Sequence, residues 1–297
     1  MNKIKKGSLI VVLALICLTP SFSQSKQEVV GFPFDQIINS YQFINPANLN
    51  SMNGMEAIIG YNNFNALSND VYSLYGQFCY SFLTNDSLKT HKISFSLIPE
   101  KEGIFITRSR TYLGYSYTFP LTKKMHLSGG AQIGVVNYSV KPSIAVGGSS
   151  SSVIDASIGL ILQAKNMVFA FSCNQLPQNS LELYSVPITF SRYYTFLANK
   201  YFEINPIWKI QTNVFTMINT RYSNLTGVVL LSYKNVFSFG SSLRRKYGLI
   251  PQVGFDNIRM GSTLFSFSTS YRIAINRNSV INTNRVELML GVKIVKE

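Results

Sequence analysis

The groups in this chain that could do acid–base, nucleophilic or metal chemistry are few and badly spaced for it. Its two histidines are His91, in the run Lys89-Thr90-His91-Lys92, and His126, which follows Lys123-Lys124-Met125. Neither has a Cys, Asp or Glu at the spacing a metal ion requires, and a metal site needs several ligands that converge. Both read instead as solvated or interfacial residues at the polar starts of strands. A hydrolase would need Ser, His and an acid brought together, and the chain has no G-x-S-x-G elbow. Gly129-Gly130-Ala131-Gln132-Ile133-Gly134 has the look of a phosphate loop but lacks the Lys-Ser/Thr ending. It also lies in a strand-like pattern, where glycine relieves crowding. The expectation is no enzyme, no metal and no cofactor.

The remaining reactive side chains read the same way. Cys79 and Cys173 sit in the apolar runs Phe78-Cys79-Tyr80 and Phe171-Ser172-Cys173, as small residues either buried or facing lipid. The formal charge of +14 raises the question of nucleic acid. The basic residues are spread out, however, and an exported protein rarely meets nucleic acid, so none is expected. The densest cluster, Arg244-Arg245-Lys246, reads as a basic rim facing lipid phosphates or an acidic partner, or as a solvated loop.

Export follows from the first residues. Lys3, Lys5 and Lys6 precede the apolar run Leu9–Leu18, which is too short to span a bilayer, and Ser21-Phe22-Ser23 offers small residues at a cleavage site before Gln24. Residues 1–23 are read as a secretory signal peptide. Cys17 invites a lipoprotein reading, but Ile16 stands where a lipobox wants a small residue. Removing three lysines and no acid lowers the formal charge from +14 to +11.

The elements that must position everything else are strands. Charged residues make up 13 % of the chain, about half the usual ~25 % of soluble proteins, and aromatics make up another 13 %. No later segment holds an apolar run long enough for a transmembrane helix. A β-barrel resolves this, because it pairs every backbone group between strands and needs only alternate side chains to be apolar. The alternation is present. Val286, Leu288, Leu290, Val292 and Ile294 face one way, and Glu287, Met289, Gly291 and Lys293 the other. Phe265, Phe267 and Tyr271 alternate with Ser266, Ser268, Ser270 and Arg272. The same holds for Leu113–Phe119, Ile93–Leu97 and Ile154–Leu162. A soluble sandwich would give the same alternation; the charge deficit over the whole length favours the membrane.

The reading is therefore all-β: a transmembrane, antiparallel, up-and-down β-barrel of roughly 12–14 strands. Residues 24–55 form an N-terminal segment outside the barrel wall and 56–297 the barrel, with strands from near Glu56 to near Ile294. Asn62-Asn63, Asn85-Asp86, Gly147-Gly148-Ser149 and Asn174–Asn179 are assigned to reversals, and Asn137–Ser152 and Gln175–Ser185 to long polar loops.

Particular stretches resemble a known family. Tyr41, Phe43 and the triplet Asn45-Pro46-Ala47 match the aromatic segment running into Asn-Pro-Ala near the mature N-terminus of PorP/SprF proteins, outer-membrane proteins of Bacteroidetes. Ile204–Trp208 sits where that family has a Pro-containing strand. Val236–Arg245 is similar to its glycine–aromatic–Arg strand, Ser268–Ile273 to its penultimate strand, and Arg285–Leu290 to its closing segment. The resemblance implies an accessory of type IX secretion and gliding motility. Such a protein sits in outer-membrane lipid and supports export or anchoring of particular large surface proteins. Some family members associate with peptidoglycan-linked periplasmic components. In that reading Asn45, Pro46 and Ala47 are structural, Pro46 biasing Asn45 towards extended backbone. The alternative is an outer-membrane pore or transporter for small solutes, with Arg272, Glu287 and Lys293 tuning an open lumen.

Overall fold

A computed structural model describes residues 34–47, 53–64, 71–84, 89–142, 147–183, 186–219, 223–245, 247–275 and 284–295. The signal peptide, Cys17, Lys246 and the Asn85-Asp86 reversal lie outside the described residues. A short helix, α1 (Ile37–Ser40), runs into a 3-10 turn over Tyr41–Phe43. Sixteen strands follow: β1 (Gly54–Phe64), β2 (Val71–Leu83), β3 (Thr90–Glu102), β4 (Ile106–Thr122), β5 (Met125–Val140), β6 (Ser149–Ala164), β7 (Met167–Asn174), β8 (Ser180–Leu183), β9 (Val186–Thr189), β10 (Tyr193–Glu203), β11 (Trp208–Ile218), β12 (Ser223–Tyr233), β13 (Phe237–Arg244), β14 (Gly248–Met260), β15 (Thr263–Ala274) and β16 (Arg285–Val295).

Fourteen of them close a barrel in which each strand pairs antiparallel with the next. β7 pairs with β10, and β1 closes on β16 from Gly54↔Val295 to Phe64↔Arg285. Strands begin two residues before Glu56 and end one after Ile294. The hairpin β8–β9 stands apart as a two-stranded sheet.

The two barrel ends differ. At one, two-residue turns such as Lys123-Lys124, Lys165-Asn166 and Gly261-Ser262 join the strands, and the barrel's first and last residues, Gly54 and Val295, also lie there. At the other the connections are longer, including the 18 residues between Asn174 and Tyr193 that carry β8–β9. In outer-membrane barrels short turns face the periplasm and long loops the exterior. The two are called the turn end and the loop end below.

The alternation seen in the sequence places one face outside. Leu113, Ile133 and Ile154 are each about 60 % exposed, and Leu288 and Leu290 are 40 % and 49 % exposed. On a soluble protein this continuous apolar belt would be far larger than the patches monomers tolerate; in lipid it is the required surface. Aromatic rings gather at its turn-end border. His91 stacks on Phe82 with ring centroids 5.1 Å apart and lies 4.9 Å from the Tyr117 ring, while Trp208 packs on Tyr233 at 4.8 Å. His91 also bonds the Tyr115 hydroxyl at 2.7 Å, so its partners are those of an interfacial girdle residue.

Three local assignments are corrected. Asn62 and Asn63 are not a reversal but the last turn-free stretch of β1, with Asn62 fully buried inside the barrel, where polar side chains are tolerated. The expected loops Asn137–Ser152 and Gln175–Ser185 are shorter, because Asn137–Val140 and Ser149–Ser152 extend β5 and β6 and pair residue for residue. Part of the second loop folds as β8–β9, because Leu181, Ile188 and Phe190 are apolar and pack against Val136, Tyr138 and Val153. Finally, Ile204–Ile207 is the turn between β10 and β11 rather than strand. The Asn205 side-chain oxygen accepts from the backbone N–H groups of Ile207 and Trp208 at 2.9 and 2.8 Å, an Asx arrangement suited to a reversal.

Candidate functional site

The lumen is where the polar face of every strand converges, and residues 34–47 fill its loop half. Phe34, Ile37, Phe43, Ile44 and Ala47 are all buried, packed with Tyr75, Ile98, Ile161, Leu197, Phe215 and Met289 from the wall. Phe34 meets Tyr75 edge-on at 4.7 Å and stacks on Phe43 at 5.3 Å. Nothing local makes this segment helical: α1 has only four residues and no side-chain cap of its own. Its cap comes from the wall. The Glu287 carboxylate accepts from the backbone N–H of Asp35 at 3.0 Å and of Gln36 at 2.6 Å, and from the Tyr75 hydroxyl at 2.7 Å. An acid is the right group there, since N–H groups at a helix start are unpaired.

Next to it Asp35, itself fully buried, is gripped by Arg272 and by Arg244, whose other nitrogen donates to the Phe34 carbonyl at 2.8 Å. Arg244 is thus an interior anchor, whereas Arg245 alone of the described part of that cluster is exposed. Arg272 and Glu287, read from the sequence as facing the lumen, contact this internal segment. Lys293 pairs with Glu56 at 2.9 Å near the turn end.

Asn45, Pro46 and Ala47 make the second anchor. Gly130 and Gly159 face each other in register across β5 and β6. A Cβ on Gly159 would stand 1.9 Å from Asn45 Oδ1, and one on Gly130 2.4 Å from the Pro46 carbonyl oxygen. Only bare backbone on both strands leaves a slot for the triplet. Within it Asn45 Nδ2 donates to the wall carbonyl of Phe171 and to the Tyr41 hydroxyl, each at 3.0 Å, and Asn45 Oδ1 accepts from Ala47 N–H at 2.9 Å. Burial pushes the Tyr41 hydroxyl up to about 12, so it remains a neutral acceptor for Asn45.

Elsewhere in the loop half the interior charges neutralise one another. Glu100 takes Arg108 at 2.8 Å and Arg110 at 2.5 Å, Arg108 donates to the Tyr138 hydroxyl at 2.7 Å, and the Tyr112 hydroxyl donates to Asp155 at 2.7 Å. Sequence reasoning missed the plug because its charged anchors, Arg244, Arg272 and Glu287, lie more than 200 residues away along the chain. One signal was available: inward-facing Arg272, Arg285 and Glu287 in the last strands need buried partners. Cys79 and Cys173 are buried and not joined. Among the described residues no three of His, Cys, Asp and Glu converge as a metal ion would need.

This geometry defines a class: an outer-membrane β-barrel whose lumen is occupied by its own N-terminal segment. The chain belongs to the PorP/SprF family of type IX secretion system membrane proteins, whose family model matches residues 27–292. No curated protein sequence gives a significant match. Solved structures share the fold. The Pseudomonas putida toluene transporter TodX is 10 % identical, with 92 % of this chain and 96 % of that one covered and a TM-score of 0.56. The Ralstonia pickettii toluene transporter TbuX is 9 % identical, with the same coverage and a TM-score of 0.59. A Pseudomonas aeruginosa FadL homologue is 9 % identical over 86 % of this chain and 94 % of that one, with a TM-score of 0.52. At such identities the likeness is one of fold alone. The family is one of type IX secretion system membrane proteins, and the barrel shares its fold with outer-membrane proteins.

Proposed function

We propose that this protein is an accessory of type IX secretion that supports the export or surface anchoring of a few large cell-surface proteins, of the gliding-motility adhesin type, by holding partners and not by conducting solutes. The observation that carries the reading is the plug: Asp35 tied to Arg244 and Arg272, and the segment capped by Glu287, across the loop half of the lumen. A barrel stoppered by its own chain is built as a rigid scaffold, and rigid scaffolds present binding loops and rims. Its partners would be secretion-system components, the exported surface proteins and a peptidoglycan-linked periplasmic protein. Residues 1–23 would be removed on export, leaving 24–55 as the segment that carries the plug and 56–297 as the barrel. Asn45, Pro46 and Ala47 would serve the structure, as the plug's foot, and not a partner.

The test is quantitative surface proteomics with nutrient-uptake assays on a strain lacking the gene. The expected result is loss of one or a few large surface proteins with small-molecule uptake retained. The rival reading, a transporter, draws on a cavity of about 390 Å³ in the turn half of the lumen and on structural neighbours that are transporters. An unchanged surface proteome with a lost uptake activity would put it in first place.

A further inference from the structure

Beneath the plug the lumen widens into that cavity, a vestibule walled by β1, β6, β7, β10, β11, β14, β15 and β16. Ile38, Tyr41 and Ala47 of the plug line it from above. On its wall Asn199 and Asn213 stand opposite one another in register on β10 and β11. They are 8 % and 3 % exposed. Among the described residues, Asn199 Oδ1 and both Oδ1 and Nδ2 of Asn213 have no hydrogen-bond partner. Buried polar atoms are nearly always matched, so two adjacent buried amides with three unmatched atoms mark a place that a ligand completes.

The unmatched chemistry is neutral. Of the acids at the vestibule, Glu56 is neutralised by Lys92 at 3.4 Å and Lys293 at 2.9 Å, and Asp256 accepts from the Ser238 hydroxyl at 3.0 Å. What the wall offers is amide donors and acceptors beside the apolar side chains of Ile161, Leu197 and Met289. An Asn side chain carries the same donor–acceptor pair as a peptide group, and neighbouring strands set two of them about 5 Å apart. That pattern suits a chain of amides bearing apolar side chains better than an ion or a hydrocarbon.

We propose that the vestibule binds an uncharged, extended peptide segment of a protein partner, which enters from the turn end and has its backbone amides met by Asn199 and Asn213. The inference rests on the reading of this barrel as a holder of protein partners. Charge at the entrance adds a second feature. Among the described residues the turns at that end carry Lys89, Lys123, Lys124, Lys165 and Lys234, and the bordering Glu203 is paired with Lys209 at 3.2 Å. The bound segment is therefore flanked by acidic residues, which steer it to the mouth while its neutral core goes inside.

The experiment is panning of a phage-displayed random heptapeptide library on the full-length barrel in lipid nanodiscs, with Asn213→Leu and Asn199→Leu barrels as comparisons. Heat-modifiable gel mobility shows that each variant is a folded barrel, and Asn213→Ser replaces Asn213→Leu should the latter not fold. The expected result is enrichment of peptides with uncharged cores whose affinity falls at least tenfold in either Asn variant. Asn137→Ala, at the loop end, should leave their affinity unchanged, and Lys165→Glu with Lys234→Glu should lower the affinity of acid-flanked peptides severalfold. No enrichment, enrichment indifferent to Asn199 and Asn213, or selection of charged cores would each overturn the proposal. Any of those results beside an altered surface proteome in the deletion strain would remove this site and leave the secretion reading standing.

Discussion

The loop half and the turn half of the lumen are built from the same alternating strands, yet they solve the problem of a polar interior in opposite ways. In the loop half, charges face charges and the plug occupies the centre; the cavity beside Phe34, Phe43 and Arg110 measures about 20 Å³. In the turn half the plug stops, the wall carries amides and aliphatic groups beside the Glu56–Lys92–Lys293 cluster and Asp256, and about 390 Å³ lies open. The difference comes from where residues 34–47 sit. Buried ion pairs are weak sources of stability but strong sources of position, because separating them leaves bare charge. Asp35 with Arg244 and Arg272 therefore fixes where the plug stands, while the aromatic and aliphatic packing of Phe34, Phe43 and Ile44 supplies most of the gain in free energy.

The contrast can be broken most severely at Glu287. Glu287→Ala strips the cap from α1 and leaves Arg272 and Arg285 with less neutralising charge, which is expected to cost about 3–5 kcal/mol of plug docking. Limited proteolysis of the reconstituted protein should then cut within 34–47 while the barrel itself stays resistant. On the outer face, Leu290→Arg is expected to impair insertion by roughly 2–4 kcal/mol if it lies near the midplane, measured by urea-dependent folding into vesicles. Its neighbour sharpens the point. Met289 is 4 % exposed and packs against the plug, so Met289→Arg is not the mild change an open lumen would allow; it should loosen the plug without hindering insertion. A smaller effect is expected in the glycine slot. Gly159→Ala presses on Asn45 and should cost about 1–3 kcal/mol, read as earlier thermal release of the plug. Smallest of all, Lys124→Ala in an exposed turn should leave melting and proteolysis at wild-type values.

How far the sequence could be read divides along the same line. The final strand was legible residue by residue, because a lipid face on one side and a filled lumen on the other enforce a period of two from Val286 to Ile294. The Asn-Pro-Ala triplet was legible as a family feature, but its seat was not, since the slot is made by Gly130 and Gly159 some 85 and 114 residues further along the chain. The plug had no periodicity to announce it: one short helical turn capped by Glu287, some 250 residues away, leaves no local signature. The polar loops were over-extended for a simpler reason. Serines 149–152 pair with β5 because a barrel rim satisfies backbone groups whatever the side chains prefer.

The central claim, that residues 34–47 close the lumen so that the barrel holds and does not conduct, is tested most directly by planar-bilayer recording of the purified full-length protein beside its Glu287→Ala variant. The account expects no steady large conductance from the native protein and frequent openings from the variant. A sustained open channel in the native protein, unchanged by Glu287→Ala, would contradict it.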